Sequence, residues 1–93
     1  MYLNYLRVLT KKKKYMHTIY YVKLYFTQYN HCIQYLKRIN ISNENLYRLI
    51  TVNNEVIPHI LPNNLVQLPP YLLTLAYRDA LVDILDERYD NIN

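Results

Sequence analysis

Not one of the 93 residues is glycine, and that absence limits how the chain can turn. Glycine ordinarily supplies the left-handed backbone that stops helices and closes tight turns. Asparagine is the residue best able to replace it, and the chain has 11, including the pairs Asn53-Asn54 and Asn63-Asn64. Reversals are therefore expected at asparagines. The length allows one domain over residues 1–93 with a single modest core. A hydrophobic fraction of 52% with 19% charged residues argues against general disorder. Tyrosine supplies 12 of the apolar residues, against one Phe and no Trp. Richness in Tyr, Asn, Ile and Lys is what an AT-rich coding sequence produces, pointing to an organelle, a virus or an AT-rich microbe.

Hydrophobic spacing sets the expected elements. A short apolar segment over residues 2–9 stops at Lys11-Lys12-Lys13-Lys14, so residues 1–14 form a basic N-terminal segment. From there Tyr15, Ile19, Val22, Phe26, Tyr29, Ile33 and Leu36 recur at alternating steps of four and three, the seam of a long amphipathic helix. Residues Thr18–Phe26 also read as a strand, but a seam sustained over three heptads outlasts a strand. The chain breaks near Asn40, and Ser42 is placed to cap a short second helix, Asn43–Leu49. Ile50-Thr51-Val52 and Glu55-Val56-Ile57 flank Asn53-Asn54 as a small β-hairpin would. Pro58, Pro62, Pro69 and Pro70 predict an irregular or edge-strand connection over residues 58–70. Pro70 also opens a C-terminal amphipathic helix, with Leu73, Tyr77, Leu81, Leu85 and Tyr89 on one face. Asp79, Asp83, Asp86 and Asp90 line the other face, and residues 90–93 form a frayed tail. The fold class expected is α+β, mostly helical, with an all-α helical bundle as the alternative.

Charge is polarised along the chain. Residues 1–50 carry nine Lys/Arg and one acid, Glu44, for +8. Residues 51–93 carry Arg78 and Arg88 against six acids, for −4. A basic front half suits nucleic acid or an anionic membrane, and a solvated dipolar surface accounts for it equally well. No apolar run reaches the roughly 18 residues a spanning helix needs. The N-terminus has neither the order of a secretory signal nor the Arg/Ser richness of a transit peptide.

Residues 33–72 resemble the small RNA-binding domain typified by ribosomal small-subunit protein four, which recurs in some pseudouridine synthases. Leu36-Lys37-Arg38-Ile39-Asn40 stands where that family has the end of its first helix, and Ser42 opens the second. Ile50-Thr51-Val52-Asn53-Asn54-Glu55-Val56-Ile57 stands at the family's strand, and Pro62, Val66 and Leu72 keep the later spacing. Asn replaces both motif glycines, the second helix is short, and Pro69-Pro70 replaces a Gly-Asp. The resemblance implies RNA binding, most simply by a small ribosomal protein of a mitochondrial ribonucleoprotein in the organelle matrix. Its partners would be rRNA and neighbouring proteins.

Physical chemistry supplies a separate route to the same class. Phosphate neutralisation calls for Lys11, Lys12, Lys13, Lys14, Lys23, Lys37, Arg38 and Arg48, with Asn53 and Asn54 at the presumed turn. Tyr20, Tyr21, Tyr25 and Tyr35 lie among those cations as stacking groups, although core or rim positions account for most tyrosines. Catalytic and cofactor chemistry finds little to use. His17, His31 and His59 do not share metal-ligand spacing, and the lone Cys32 excludes a zinc knuckle and an internal disulfide. Without glycine there is no ordinary phosphate-cradling loop. His31 and Cys32, adjacent on a helix, point apart, so no nucleophile pair forms. The chain is expected to be a non-enzyme without metal or cofactor. The alternative to RNA binding is a protein-interaction subunit or viral accessory protein in a host cytoplasm, docking through its tyrosine-rich helical face.

Overall fold

A computed structural model describes residues 13–92, with side chains described for 18–90. Three helices account for most of it: α1 (Lys13–Arg38), α2 (Asn43–Val56) and α3 (Leu68–Ile92). Short 3-10 turns at Ile57–Ile60 and Leu65–Gln67 join α2 to α3. Among the described residues there is no strand. The expected α+β class is therefore overturned, and the molecule is a helical bundle.

Asparagine does replace glycine where α1 ends. Asn40 has φ 48°, the one positive φ among the described residues. The Ile41 N–H donates to the Leu36 carbonyl at 3.4 Å, and the Asn40 N–H to the Lys37 carbonyl at 3.2 Å. These paired bonds, with Ile41 and Leu36 both buried, form a Schellman stop. Two residues later the Ser42 hydroxyl accepts from the Asn45 N–H at 3.1 Å and starts α2.

The expected hairpin at Asn53-Asn54 is instead the end of α2, which runs seven residues beyond its expected limit at Leu49. Leu46 is fully buried, and Leu49 and Ile50 pack against the same core, so this segment's apolar residues follow helical spacing. The polar residues comply with the helix as well. Thr51 Oγ1 donates to the Tyr47 carbonyl at 2.9 Å, and Asn53 Nδ2 to the Leu49 carbonyl at 2.7 Å. Asn54 Oδ1 accepts from Arg78 Nη1 on α3 at 2.9 Å. Pro58, lacking an N–H, then ends the α-helical ladder. The connection expected to be irregular or an edge strand contains the two 3-10 turns. Asn64 caps the second by accepting from the Gln67 N–H at 3.1 Å, while Gln67 Oε1 accepts from the Asn63 N–H at 2.9 Å. Pro69 and Pro70 occupy the first turn of α3, where a missing N–H leaves no bond unmade.

Cross-helix pairs give the topology. Tyr25 bonds Asp79, Tyr29 bonds Asp83, and Lys37 pairs with Glu87, so positions rise together and α1 runs parallel to α3. Asn43 meets Arg88 and Asn54 meets Arg78, so α2 runs antiparallel to α3. Both outer helices pack mainly on α3. That explains why α3 lacks one clean apolar stripe: it is covered on more than one side. Ala76 and Ala80, both fully buried one turn apart, keep its surface narrow where its neighbours approach.

The core of Cys32, Leu36, Ile41, Leu46, Ala80, Leu81 and Ile84 lies in the half where all three helices overlap. Replacing Leu46 with Ala should cost about 2–5 kcal/mol, and Ser42→Ala about 1 kcal/mol. Urea titration followed by helical circular dichroism measures both. A β contribution in the native far-ultraviolet spectrum would contradict the all-helical arrangement.

Candidate functional site

The cations expected to form one grip are dispersed. Lys11 and Lys12 lie outside the described residues, and so do the side chains of Lys13 and Lys14 in the first turn of α1. Lys23 is exposed midway along α1, about 21 Å from Lys37 at 1.5 Å per residue. Lys37 and Arg38 close the last turn of α1, near Arg48 in the second turn of α2. Even there the charge is partly answered. Lys37 Nζ lies 3.3 Å from the Glu87 carboxylate, and Arg48 bonds Asn45 on its own helix. Asn53 and Asn54, expected at an exposed turn, are committed to Leu49 and Arg78. A cleft of about 230 Å³ between Lys37, Asn40, Ile84, Glu87 and Arg88 mixes both signs of charge.

Tyrosine and aspartate form the principal polar contact between α1 and α3. Tyr25 donates to Asp79 and Tyr29 to Asp83, each pair joining positions 54 residues apart. The two rings stack at 6.3 Å with 14° between their planes, and Phe26 meets Tyr25 edge-on at 5.1 Å. Arg78 Nε, 2.9 Å from Asp79, balances that carboxylate. Asp79 and Asp83 therefore do not merely line a solvated face, as their spacing implied; they fix the register of two helices. The signal was present in sequence as two four-residue spacings, 25/29 and 79/83, in segments far apart. The phenols respond to this setting. Burial, the hydrogen bond to Asp79 and that carboxylate's charge push Tyr25 up to about 12. The bond to Asp83, then burial, does the same to Tyr29.

The predicted seam of α1 divides into two parts. Tyr29, Ile33 and Leu36 turn toward the core, and Cys32 joins them. Val22 and Phe26 remain 50% and 56% exposed. With Tyr21 and Tyr25 they face Leu68 and Leu72 of α3 across an open apolar groove of about 390 Å³. A second groove, about 420 Å³, lies beside the start of α3 between Leu61, Val66 and Pro70. Val66 is 85% exposed. Few charges lie on the stretches that line these grooves. Residues 56–77 contain no Lys, Arg, Asp or Glu, and between residues 15 and 36 only Lys23 is charged. That uncharged run was the sequence signal for the surface, and an inventory of cations passed over it.

Other chemistry is sparse among the described residues. No three His, Cys, Asp or Glu side chains gather as metal ligands. Burial pushes the Cys32 thiol up, away from the reactive thiolate. No helix is long and apolar enough to cross a membrane.

Because both phenols titrate above the ordinary value of 10.0, their bonds stabilise the fold fully below pH 10. That contribution is lost as pH rises through about 12. Tyrosinate absorbance should therefore show Tyr25 and Tyr29 titrating late, alongside Tyr47 and Tyr77, which the Tyr89 hydrogen bond and burial respectively also raise, and Asp79→Asn with Asp83→Asn should move the first two back toward the ordinary range. No family model, curated protein or solved structure matches the chain.

Proposed function

We propose that this chain is a non-enzymatic interaction subunit that docks a protein partner through the open end of the α1–α3 pair. One observation carries the reading: Val22 and Phe26 stand half exposed beside Leu68 and Leu72, on two stretches, 15–36 and 56–77, whose only formal charge is Lys23. Interface cores are depleted in charge and enriched in aromatic residues, and contiguous apolar surface left in water marks a contact site. The partner this surface suits is an uncharged, apolar helical face, entering as a further helix beside α1 and α3.

RNA binding, the other reading, draws on the cations of α1 and α2. It has less support in the geometry, because Lys37 and Arg48 have partners of their own and Asp83, Asp86, Glu87 and Asp90 share their end of the molecule. An RNA interface would also concentrate its cations near stacking groups. Here Tyr25 is bonded to Asp79.

The two readings separate in one comparison. Val22→Asp with Phe26→Asp should abolish assembly in size-exclusion chromatography while leaving the thermal midpoint nearly unchanged, since both side chains are half exposed. Lys37, Arg38 and Arg48 changed together to Ala should leave assembly intact. Co-purified RNA, lost in that triple variant and retained in the first, would reverse the conclusion.

A further inference from the structure

We propose that Tyr47 and Tyr89 form an oxidative cross-linking site, where a peroxide-driven one-electron oxidant joins α2 to α3 by a carbon–carbon bond between the two rings. Tyr89 lies about 25 Å along α3 from Leu72 of the groove at 1.5 Å per residue, so the site stands apart from the docking surface.

Phenolic coupling needs two tyrosines that an oxidant can reach and whose rings are already neighbours. The hydroxyls of Tyr47 and Tyr89 touch, and the pair joins positions 42 residues apart. Tyr47 is 46% exposed and Tyr89 50%, so small oxidants in water meet both rings. Each coupling carbon is ortho to its hydroxyl, so hydroxyl contact brings those carbons near one another, and half-exposed side chains turn the rest of the way. Other positions are less suited. The Tyr25 and Tyr29 rings stack face to face, and their hydroxyls are held by Asp79 and Asp83. Cys32, whose thiol an oxidant takes readily when exposed, is buried.

In the coupling step each phenol gives one electron to the oxidant and its proton to water, leaving two phenoxyl radicals. Their ortho carbons join, and the two ring hydrogens at the new bond move to the oxygens and restore both phenols. Two hydrogen atoms are lost in all, and one hydrogen peroxide takes them up to become two water molecules. Neighbours within one chain meet at an effective concentration of roughly millimolar, so in dilute protein this coupling outruns coupling between chains. The product clasps α2 to α3 and restricts the unfolded chain as a disulfide does. A chain with one cysteine has no internal disulfide to do so.

The test treats the full chain, dilute, with hydrogen peroxide and a haem peroxidase. A second arm uses photolysed ruthenium tris(bipyridine) with persulfate, an oxidant small enough to reach any exposed ring. The expected product of both is a monomer two hydrogen atoms lighter, with dityrosine fluorescence and a raised thermal midpoint. Trypsin should release from it a species joining residues 39–48 to residues 89–93. Tyr47→Phe and Tyr89→Phe each remove only an exposed hydroxyl, so helical circular dichroism should persist. Each should lower the monomer's dityrosine fluorescence by on the order of tenfold or more. A monomer that gains no dityrosine with either oxidant overturns the proposal. So does a link found only between chains, or only at another pair such as Tyr20–Tyr21, whose rings meet edge-on at 5.3 Å.

Discussion

The parallel register of α1 and α3 is the constraint on which the rest of this structure depends. Helices that are neighbours in a bundle usually run antiparallel, because a short loop can join them. Here α1 and α3 point the same way, and everything between them serves as the return path. Apolar packing alone would tolerate a slip of one turn along such a pair. Tyr25–Asp79 and Tyr29–Asp83, together with Lys37–Glu87, oppose it, since a slip of one turn in one direction sets Tyr25 against Leu75 and in the other takes Glu87 from Lys37. The stacked phenol rings and the Arg78 guanidinium beside Asp79 stiffen that lock.

α3 holds the bundle together because it offers different chemistry to each neighbour. Toward α1 it presents carboxylates that meet hydroxyls. Toward α2 it presents Arg78 and Arg88, which meet Asn54 and Asn43. Between these polar pairs sit Ala76, Ala80, Leu81 and Ile84, the residues that exclude water. Among residues 18–90 most formal charge is thereby gathered where three helices overlap, and Lys23 is the one charged residue of the two-helix end. Segregation of that kind separates a region that folds by itself from one whose apolar surface stays open to a partner.

Much of the helical framework was legible in the sequence, and the reasons are local. Asn40 was identifiable as a stop because no glycine competes for the left-handed position, and Ser42 because a capping hydroxyl has few other uses there. The stretch Ile50–Ile57 misled because Ile, Thr and Val favour strands in isolation and Asn-Asn suits a hairpin turn. Burial of Leu46, Leu49 and Ile50 against α3 outweighs that preference, and no local pattern records it. The same limit applies to the site. The positions of the cations along the chain were evident, but whether Lys37 faces Glu87 or solvent is decided by tertiary register. Val22 and Phe26 were recognised as members of the seam, while their exposure follows from where α2 stops.

Parallel pairing also affects how the chain acquires its structure during synthesis. Partners across the α1–α3 contact are 50 to 54 residues apart, so closing that contact requires a long loop. As the chain leaves the ribosome, α1 is exposed first, with its tyrosines and Phe26 uncovered, and α2 alone gives it little to pack on. Its carboxylate partners arrive only with residues 79–87. For that interval the nascent chain is an amphipathic helix in search of a surface, the species most readily held by a chaperone or lost to aggregation. A register lock that acts late in synthesis makes the tyrosine face of α1 a hazard of biogenesis before it becomes part of a bundle.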